Sequence, residues 1–476
     1  MNPPRPLRVA VQKELRLIVR DGRFRIALVA FFALFAGSLL IGLHDASEYA
    51  ESKRVSEEID EHLWMTQGDK DPHSASHYGQ YVFRPRSGLQ WMDRGVHDFV
   101  GVALFLESHE QGLPRHRQAE SASLIPAIAD LSPSRIILVF VPLLVIVLGF
   151  GSVSLERERG TLALLLGNGG SFKTLIAGKA LALGMVTMAI LAVPFLLGLA
   201  GVLLSDADKI DSVLRLVLLF LAFAVHTLFY VCLSLAASRF FRHSSTALIA
   251  LLIYWIGATL VVPRIVNDWV TEDIPLMTNV AYDTTLANAR RDGIDGNDPR
   301  SARQARLREE VLSQYGKSDI SELPINYSGV SLQAGEDYDN LIFDRLYSEI
   351  YGTLRQRSGE RLKAALLGPQ MAAAALSMSL SGSDLSHDLL FLNEAESHRR
   401  AYVKALNDDL IHGEVNEGES RVAGAELWQK TRAPEYASAP LSQTSADRLL
   451  PWVLLCAWFL ASMGLLALST RPIDLK

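Results

Sequence analysis

Long apolar runs alternate with charged stretches along this chain, and the apolar runs are long enough to cross a membrane. A helix needs about 20 mostly apolar residues to span the hydrocarbon core. Six segments meet that requirement: Phe24–Leu43, Arg135–Val153, Leu175–Leu204, Leu214–Ala236, Thr246–Val262 and Leu449–Leu468. The third is long and carries Pro194, which predicts a kink, with tilt absorbing the extra length. Ser132-Pro133 reads as the start of the second span, with Ser132 as cap and Pro133 at the first helical position. The first run lacks a signal-peptide cleavage pattern and leads into His44-Asp45, so it is expected to be a retained anchor.

The pattern divides the chain into a basic tail (1–23), a first span (24–43), a polar block (44–134), spans two to five (135–262), a second polar block (263–448), a sixth span (449–469) and a short tail (470–476). In the second block, Arg300–Tyr315 and Tyr338–Gly368 show apolar residues at helical spacing with charges between them. The Asp292–Pro299 cluster, with Gly293 and Gly296, is a turn between helices, and Val422–Trp428 reads as a further short helix. The two blocks are expected to pack together. The fold class is therefore mainly α: a polytopic membrane protein with six transmembrane helices and a large, mostly helical extracytoplasmic domain. In the tail, Leu7, Val11, Leu15 and Ile18 recur on one face with Arg8, Lys13, Arg16 and Arg20 elsewhere. That pattern suits an amphipathic helix at the lipid headgroups, or equally an extension of the first span.

Charge placement sets the orientation. Arg5, Arg8, Lys13, Arg16, Arg20, Arg23 and Arg25 precede the first span; Arg239, Arg242 and His243 follow the fourth; Arg471 and Lys476 follow the sixth. The link between spans three and four carries Asp206, Asp208, Lys209 and Asp211. Both termini and the loop around Glu156 are thus expected in the cytoplasm, with both polar blocks outside. Hydrophobic residues make up 49% of the 476 and charged residues 21%, at a mean hydropathy of +0.18. Spans alternating with soluble parts account for that mixture. The net charge of -6 gives no basic field, which argues against nucleic acid as a partner. Cys232 and Cys456 both lie in apolar runs, so neither a disulfide framework nor a cysteine zinc site outside the membrane is expected.

The segment between spans two and three carries the most information. Leu155-Glu156-Arg157-Glu158-Arg159-Gly160-Thr161-Leu162 is too charged to lie in a bilayer and reads as a reversal at the membrane face, followed by leucines that include Leu164 and Leu165. With Gly178-Lys179 at the start of the next span, this pattern resembles the membrane subunit of a type-2 ABC exporter, in which a cytoplasmic coupling helix (here near 155–172) follows a Glu-x-x-Gly-Thr-like motif. The polar blocks resemble one branch of that class bearing a large domain of unknown function. The text that carries this is His73-Ser-Ala-Ser-His77-Tyr-Gly, Leu323-Pro-Ile-Asn326-Tyr-Ser-Gly329, Gln333-Ala-Gly335-Glu336 and Leu376–Asp384.

The resemblance implies an ATP-binding subunit on a separate chain, holding ATP and Mg, and a permease that pairs with itself or a sibling. Contact with membrane lipid is expected from the amphipathic basic tail, and the size of the outer domain suits a periplasmic protein as a further partner, with the chain in a bacterial inner membrane. The coupling residues the resemblance implies are Glu156, Glu158, Gly160, Thr161, Leu162, Leu165 and Lys179. The two glutamates would pair with basic residues of the ATPase, and Leu162, Leu164 and Leu165 would enter a groove on it.

Other motifs carry less. Gly169-Gly170-Ser-Phe172-Lys173-Thr174 has Phe172 where a phosphate loop needs Gly, so no cofactor is expected on this chain. Gly-x-Ser-x-Gly is absent, which weakens a hydrolase reading. His73 and His77 are four apart, but Pro72 and Gly79 argue against a helix there, and His62, His97, His109 and His116 add no ligand fixed by spacing. Surface or structural histidines are expected, and no metal. His226, inside the fourth span, stands out as a polar group expected to bond a neighbouring helix, with a substrate or proton role as the alternative. No ring of charges marks an ion path, which favours amphipathic cargo. A membrane-anchored receptor or scaffold acting through its outer domain is the rival reading.

Overall fold

Capping and apolar length together set the helices. The computed structural model describes residues 6–112, 131–204, 208–413 and 420–469; Arg5, His116, Asp206, Arg471, Lys476 and the 470–476 tail lie outside them. Helix α1 (Pro6–Arg20) stops at Asp21, whose carboxylate accepts from the Arg23 N–H at 2.8 Å and starts α2 (Gly22–Met65). The basic tail is therefore a separate helix, not an extension of the first span. Its apolar face lies on the third span, α7 (Phe172–Leu204). Helix α2 continues beyond its apolar part for roughly 30 Å as a polar arm.

The second span is α4 (Pro133–Gly149), with Pro133 at its first turn. Two short helices, α5 (Ser154–Glu158) and α6 (Thr161–Gly167), connect it to α7. Helix α8 (Lys209–Phe240) is capped by the Asp208 carboxylate, which accepts from Ile210 N–H at 3.0 Å. Helix α9 (Ser244–Ile256) passes through a π turn at Gly257–Val261 straight into α10 (Val262–Asp273). The sixth apolar helix is α17 (Ser445–Ser469). Among the described residues, six helices are long and apolar enough to cross a membrane: α2, α4 with α5, α7, α8, α9 with α10, and α17. Helices α4 and α8 form the middle of the bundle, with Val141, Val145, Leu216, Leu219 and Phe223 inaccessible. They approach closely at Gly149, where a Cβ would stand 2.7 Å from the Ser234 side chain; small residues at such crossings let helices pack by van der Waals contact. Ile26, Leu40, Ile253 and Leu460 face outward, as lipid contact requires.

The polar blocks form one further domain. From the first block come α3 (Pro72–Tyr78) and the antiparallel pair β1 (Gln80–Phe83) and β2 (Ala103–Leu106). From the second come α11 (Asn279–Asp292), α12 (Arg300–Tyr315), α13 (Tyr327–Lys363), α14 (Pro369–Ser381), α15 (Leu385–His412) and α16 (Ala425–Lys430). Their shared core joins Trp64, Val82 and Leu106 to Phe343, Tyr402, Leu406 and Trp428. Trp64 donates its indole N–H to the Trp428 carbonyl (2.9 Å), and Trp428 donates to the Gly68 carbonyl (3.1 Å).

Arg300–Tyr315 is the helix its spacing predicts, and the Asp292–Pro299 turn has Gly293 and Gly296 at positive φ. The following helix starts at Tyr327 instead of Tyr338, because the Asn326 side chain accepts from the Ser328 N–H at 3.0 Å and caps it there. Pro72 and Gly79, expected to preclude a helix, instead delimit one. Pro72 takes the first turn, where its missing N–H is not needed, and Asp71 caps Ser74 N–H at 2.9 Å. Gly79 ends the helix at φ 66°, against the Phe105 ring.

A polar seam fastens this domain to the bundle. Arg215 of α8, buried, donates to the carbonyls of Ala439 (2.6 Å) and Ser379 (3.5 Å) and is ion-paired with Asp211. Asp211 in turn accepts from the Leu441 N–H at 2.8 Å. Arg448 of α17 donates to Thr444 Oγ1 (2.7 Å) and Ser379 Oγ (3.4 Å). A buried charge needs such saturation, since an unpaired one costs several kcal/mol.

Candidate coupling site at the membrane face

The segment after α4 folds as a compact reversal because its polar groups are satisfied close to home. The N–H groups of Val153 and Ser154 donate to Ser238 Oγ of α8 at 2.9 and 3.2 Å, which ties the start of α5 to the bundle. Gly160 then adopts φ 73°, a left-handed conformation that costs other residues about 1 kcal/mol or more. The reversal lets Thr161 Oγ1 donate back to the Glu156 carbonyl at 3.1 Å and turns α6 away from α5.

Around Glu156 the structure gathers four charges from three elements. Lys179 Nζ, at the start of α7, lies 3.1 Å from Glu156 Oε1 and 2.9 Å from Glu14 Oε1 of α1. Lys13 Nζ is 3.0 Å from Glu156 and 3.3 Å from Glu14. The Lys179 side chain is 3% exposed against 42% for Lys13. Desolvation works against the charge on Lys13, but the Glu156 and Glu14 carboxylates together outweigh it and hold its pKa above the usual value. Gly178 makes this possible: a Cβ there would stand 2.6 Å from the Ala10 Cβ, so only glycine lets α1 lie this close to α7.

Glu158 caps a transmembrane helix. It accepts from the Ser244 N–H at 2.6 Å and from its hydroxyl at 3.0 Å at the start of α9, where the helix dipole favours a negative charge. Arg157 donates to the carbonyls of Phe241 (3.1 Å) and Arg239 (3.0 Å) at the end of α8. Among the leucines, Leu162 is buried within the chain against Val153, Leu175 and Ile176, while Leu164 is 67% exposed and Leu165 lies at the surface.

Sequence reasoning placed Glu156, Glu158, Gly160, Thr161, Leu162, Leu165 and Lys179 in one site, and the fold brings them into one region. Within this chain Glu156 has Lys13 and Lys179 beside it, Glu158 has Ser244, and Leu162 is buried among Val153, Leu175 and Ile176. Glu14 and Ser244 were missed; Glu14 carried a signal, as one of only two acids in the basic tail. His226 is elsewhere, buried in the bundle with its ring edge-on to Tyr230 at 5.4 Å.

The profile of the ABC-2 family transporter proteins matches residues 9–289, which takes in α1, the first five spans, the α5–α6 reversal and the first polar block. A second profile, a domain of unknown function (DUF3526), matches residues 281–437. No curated protein matches the chain. With the first profile spanning more than half of its residues, the chain belongs to the ABC-2 family of transporter proteins.

Proposed function

We propose that this chain is the permease subunit of an ATP-driven exporter of the type-2 class, working as a pair with itself or a sibling and with two separate ATP-binding chains. The α5–α6 lever lies on the cytoplasmic side, as do both termini. The ATPase subunit docks on the exposed leucines of α6, Leu164 and Leu165, and its opening and closing shifts α5. Glu156, Glu158 and Lys179 act inside the chain, transmitting the displacement and not gripping the ATPase. The observation that carries this reading is the Glu158 cap on α9: a shift of α5 pulls on the first turn of a helix that runs through α10 to the far side of the membrane.

There the end of α10 is gripped by Arg357 of α13, which donates to the Ile274 carbonyl at 2.7 Å and the Thr271 carbonyl at 3.2 Å. A stroke at the lever thus has a direct route into the extracytoplasmic domain. The π turn at Gly257–Val261 is the place along that strut where a change of helical register costs least, π turns being concentrated at functional sites. Transport, or mechanical work delivered to the outer domain, follows from the same motion. The receptor or scaffold alternative needs no lever.

The test is reconstitution with the ATPase subunit and measurement of complex formation and hydrolysis. Leu164→Arg should abolish docking while leaving thermal stability of the permease unchanged, because the side chain is already exposed. Glu158→Gln should permit docking but lower transport per ATP hydrolysed. If Leu164→Arg still docks and cycles normally, the lever is not the interface and the proposal falls.

A further inference from the structure

Outside the lever, a second constellation is built with equal care. His73 and His77 sit four apart on α3, and His109, from the loop after β2, completes a triangle. Ring centroids are 4.9 Å (73–77), 5.3 Å (73–109) and 4.9 Å (77–109) apart. One nitrogen from each ring lies within 4.8 Å of the other two. Three imidazoles crowded this closely repel once charged, a repulsion that an ion bound between neutral rings avoids.

The surroundings fix each ring. His109 Nδ1 is paired with the Glu336 carboxylate of α13, which is 2% exposed and lies 3.8 Å from the buried Arg399 guanidinium. His73 Nδ1 meets Asn407 Oδ1 at 3.2 Å; Asn407, on α15, has no exposed surface and donates to Gln333 Oε1 at 3.0 Å. Ser108 Oγ lies 3.5 Å from His77 Nδ1. His73 and His109 thus have Nδ1 engaged by Asn407 and Glu336, which leaves Nε2 of each as a lone-pair nitrogen, while the Ser108 hydroxyl beside His77 Nδ1 can donate or accept. Metal-ligating histidines are held in this way, the other ring N–H going to a carboxylate or carbonyl.

We propose that His73, His77 and His109 form a three-histidine site for a divalent transition-metal ion of the Zn(II) class, with Glu336 and Asn407 orienting the ligands. Imidazole ligands without a carboxylate among them select Zn(II), Co(II), Ni(II) or Cu(II) over Mg(II) and Ca(II). Zn–N bonds of about 2.0–2.1 Å in a tetrahedron bring ligand nitrogens to about 3.3 Å from one another. Closing from the present triangle takes side-chain movements of about 1 Å. His77 is exposed, so the fourth position opens to solvent. The ligands come from the first polar block, and the supports Glu336 and Asn407 from the second. The ion therefore binds only the assembled domain and tightens the junction between its two halves, whatever the lever does.

The experiment uses the full chain in detergent, freed of any histidine tag and stripped with chelator, titrated with Co(II) and then Zn(II) alone. The expected result is one ion per chain, visible absorption bands of tetrahedral Co(II) that Zn(II) displaces, and a Zn(II)-dependent rise in unfolding temperature. His77→Ala and His109→Ala should each weaken binding at least 100-fold, and Glu336→Gln 10- to 100-fold. His62→Ala, a surface histidine on α2, should leave binding unchanged. Because His77 is exposed, its alanine variant is expected to fold, and an unfolding temperature equal to that of the metal-free parent checks this. Substoichiometric binding to the parent chain, or equal affinity in the folded His77→Ala variant, overturns the proposal.

Discussion

Replacing Lys179 by methionine tests whether the four charges at the lever act as one unit. Lys13, Lys179, Glu14 and Glu156 sum to zero, and Lys179 is the most buried of them, at 3% side-chain exposure against 10% for Glu14 and 16% for Glu156. Methionine keeps the stem and removes the charge, so two carboxylates are left to share the half-exposed Lys13. Breaking a buried pair costs roughly 3–5 kcal/mol; the partial solvation of Glu156 and the remaining lysine reduce this to about 2–3 kcal/mol. That energy favours release of α1 from α7, and at about 1.4 kcal/mol per factor of ten it raises the open population roughly 30- to 150-fold. Trypsin reads the opening directly, since Lys13 and Arg16 become cleavable when α1 leaves the bundle, and cleavage tracks the open fraction when reclosing is fast. Lys179→Met combined with Glu14→Gln restores neutrality and should bring cleavage back to within about tenfold of the parent. A double variant cleaved as fast as Lys179→Met, or a single variant cleaved like the parent, would refute the network.

Gly178→Val places a Cβ against Ala10 at the close approach of α1 and α7. The overpacking, about 1–3 kcal/mol, should speed the same cleavage, whereas Gly160→Ala, strained by about 1 kcal/mol at φ 73° but touching nothing on α1, should leave cleavage unchanged. In the outer domain, burial pushes the Asp60 carboxyl up to about 6 from 3.8, only partly countered by the Tyr81 N–H it accepts at 3.0 Å. A raised carboxylate pKa means stability present below pH 4 and lost as pH rises through 6. Asp60→Asn keeps the acceptor without the charge, so it should unfold later than the parent at pH 7.5 and alike at pH 4. The difference should be about 1 kcal/mol after discounting for partial exposure, read by thermal unfolding across pH.

Six spans, a separate water-facing domain and the lever segment were legible because each rests on a short-range rule. A run of some 20 apolar residues must cross or be buried, and a run of alternating charges cannot stay in the hydrocarbon core. Pro72 and Gly79 show where such rules mislead: both are helix breakers in the interior of a helix and helix delimiters at its ends, and only the Asp71 cap decided which applied. The start of α13 at Tyr327 has the same origin in the Asn326 cap.

What the sequence alone determined, then, was composition along the membrane normal, since hydropathy is a property of each segment by itself. Tertiary structure alone decided the partners. Glu14 meets Lys179 across 165 positions, Glu158 meets Ser244 across 86, and His109 closes on His73 and His77 beneath Glu336 and Asn407. Such pairings depend on which helix faces are brought together when the bundle and the two polar blocks pack. Periodicity along one segment carries no information about the segment it will touch.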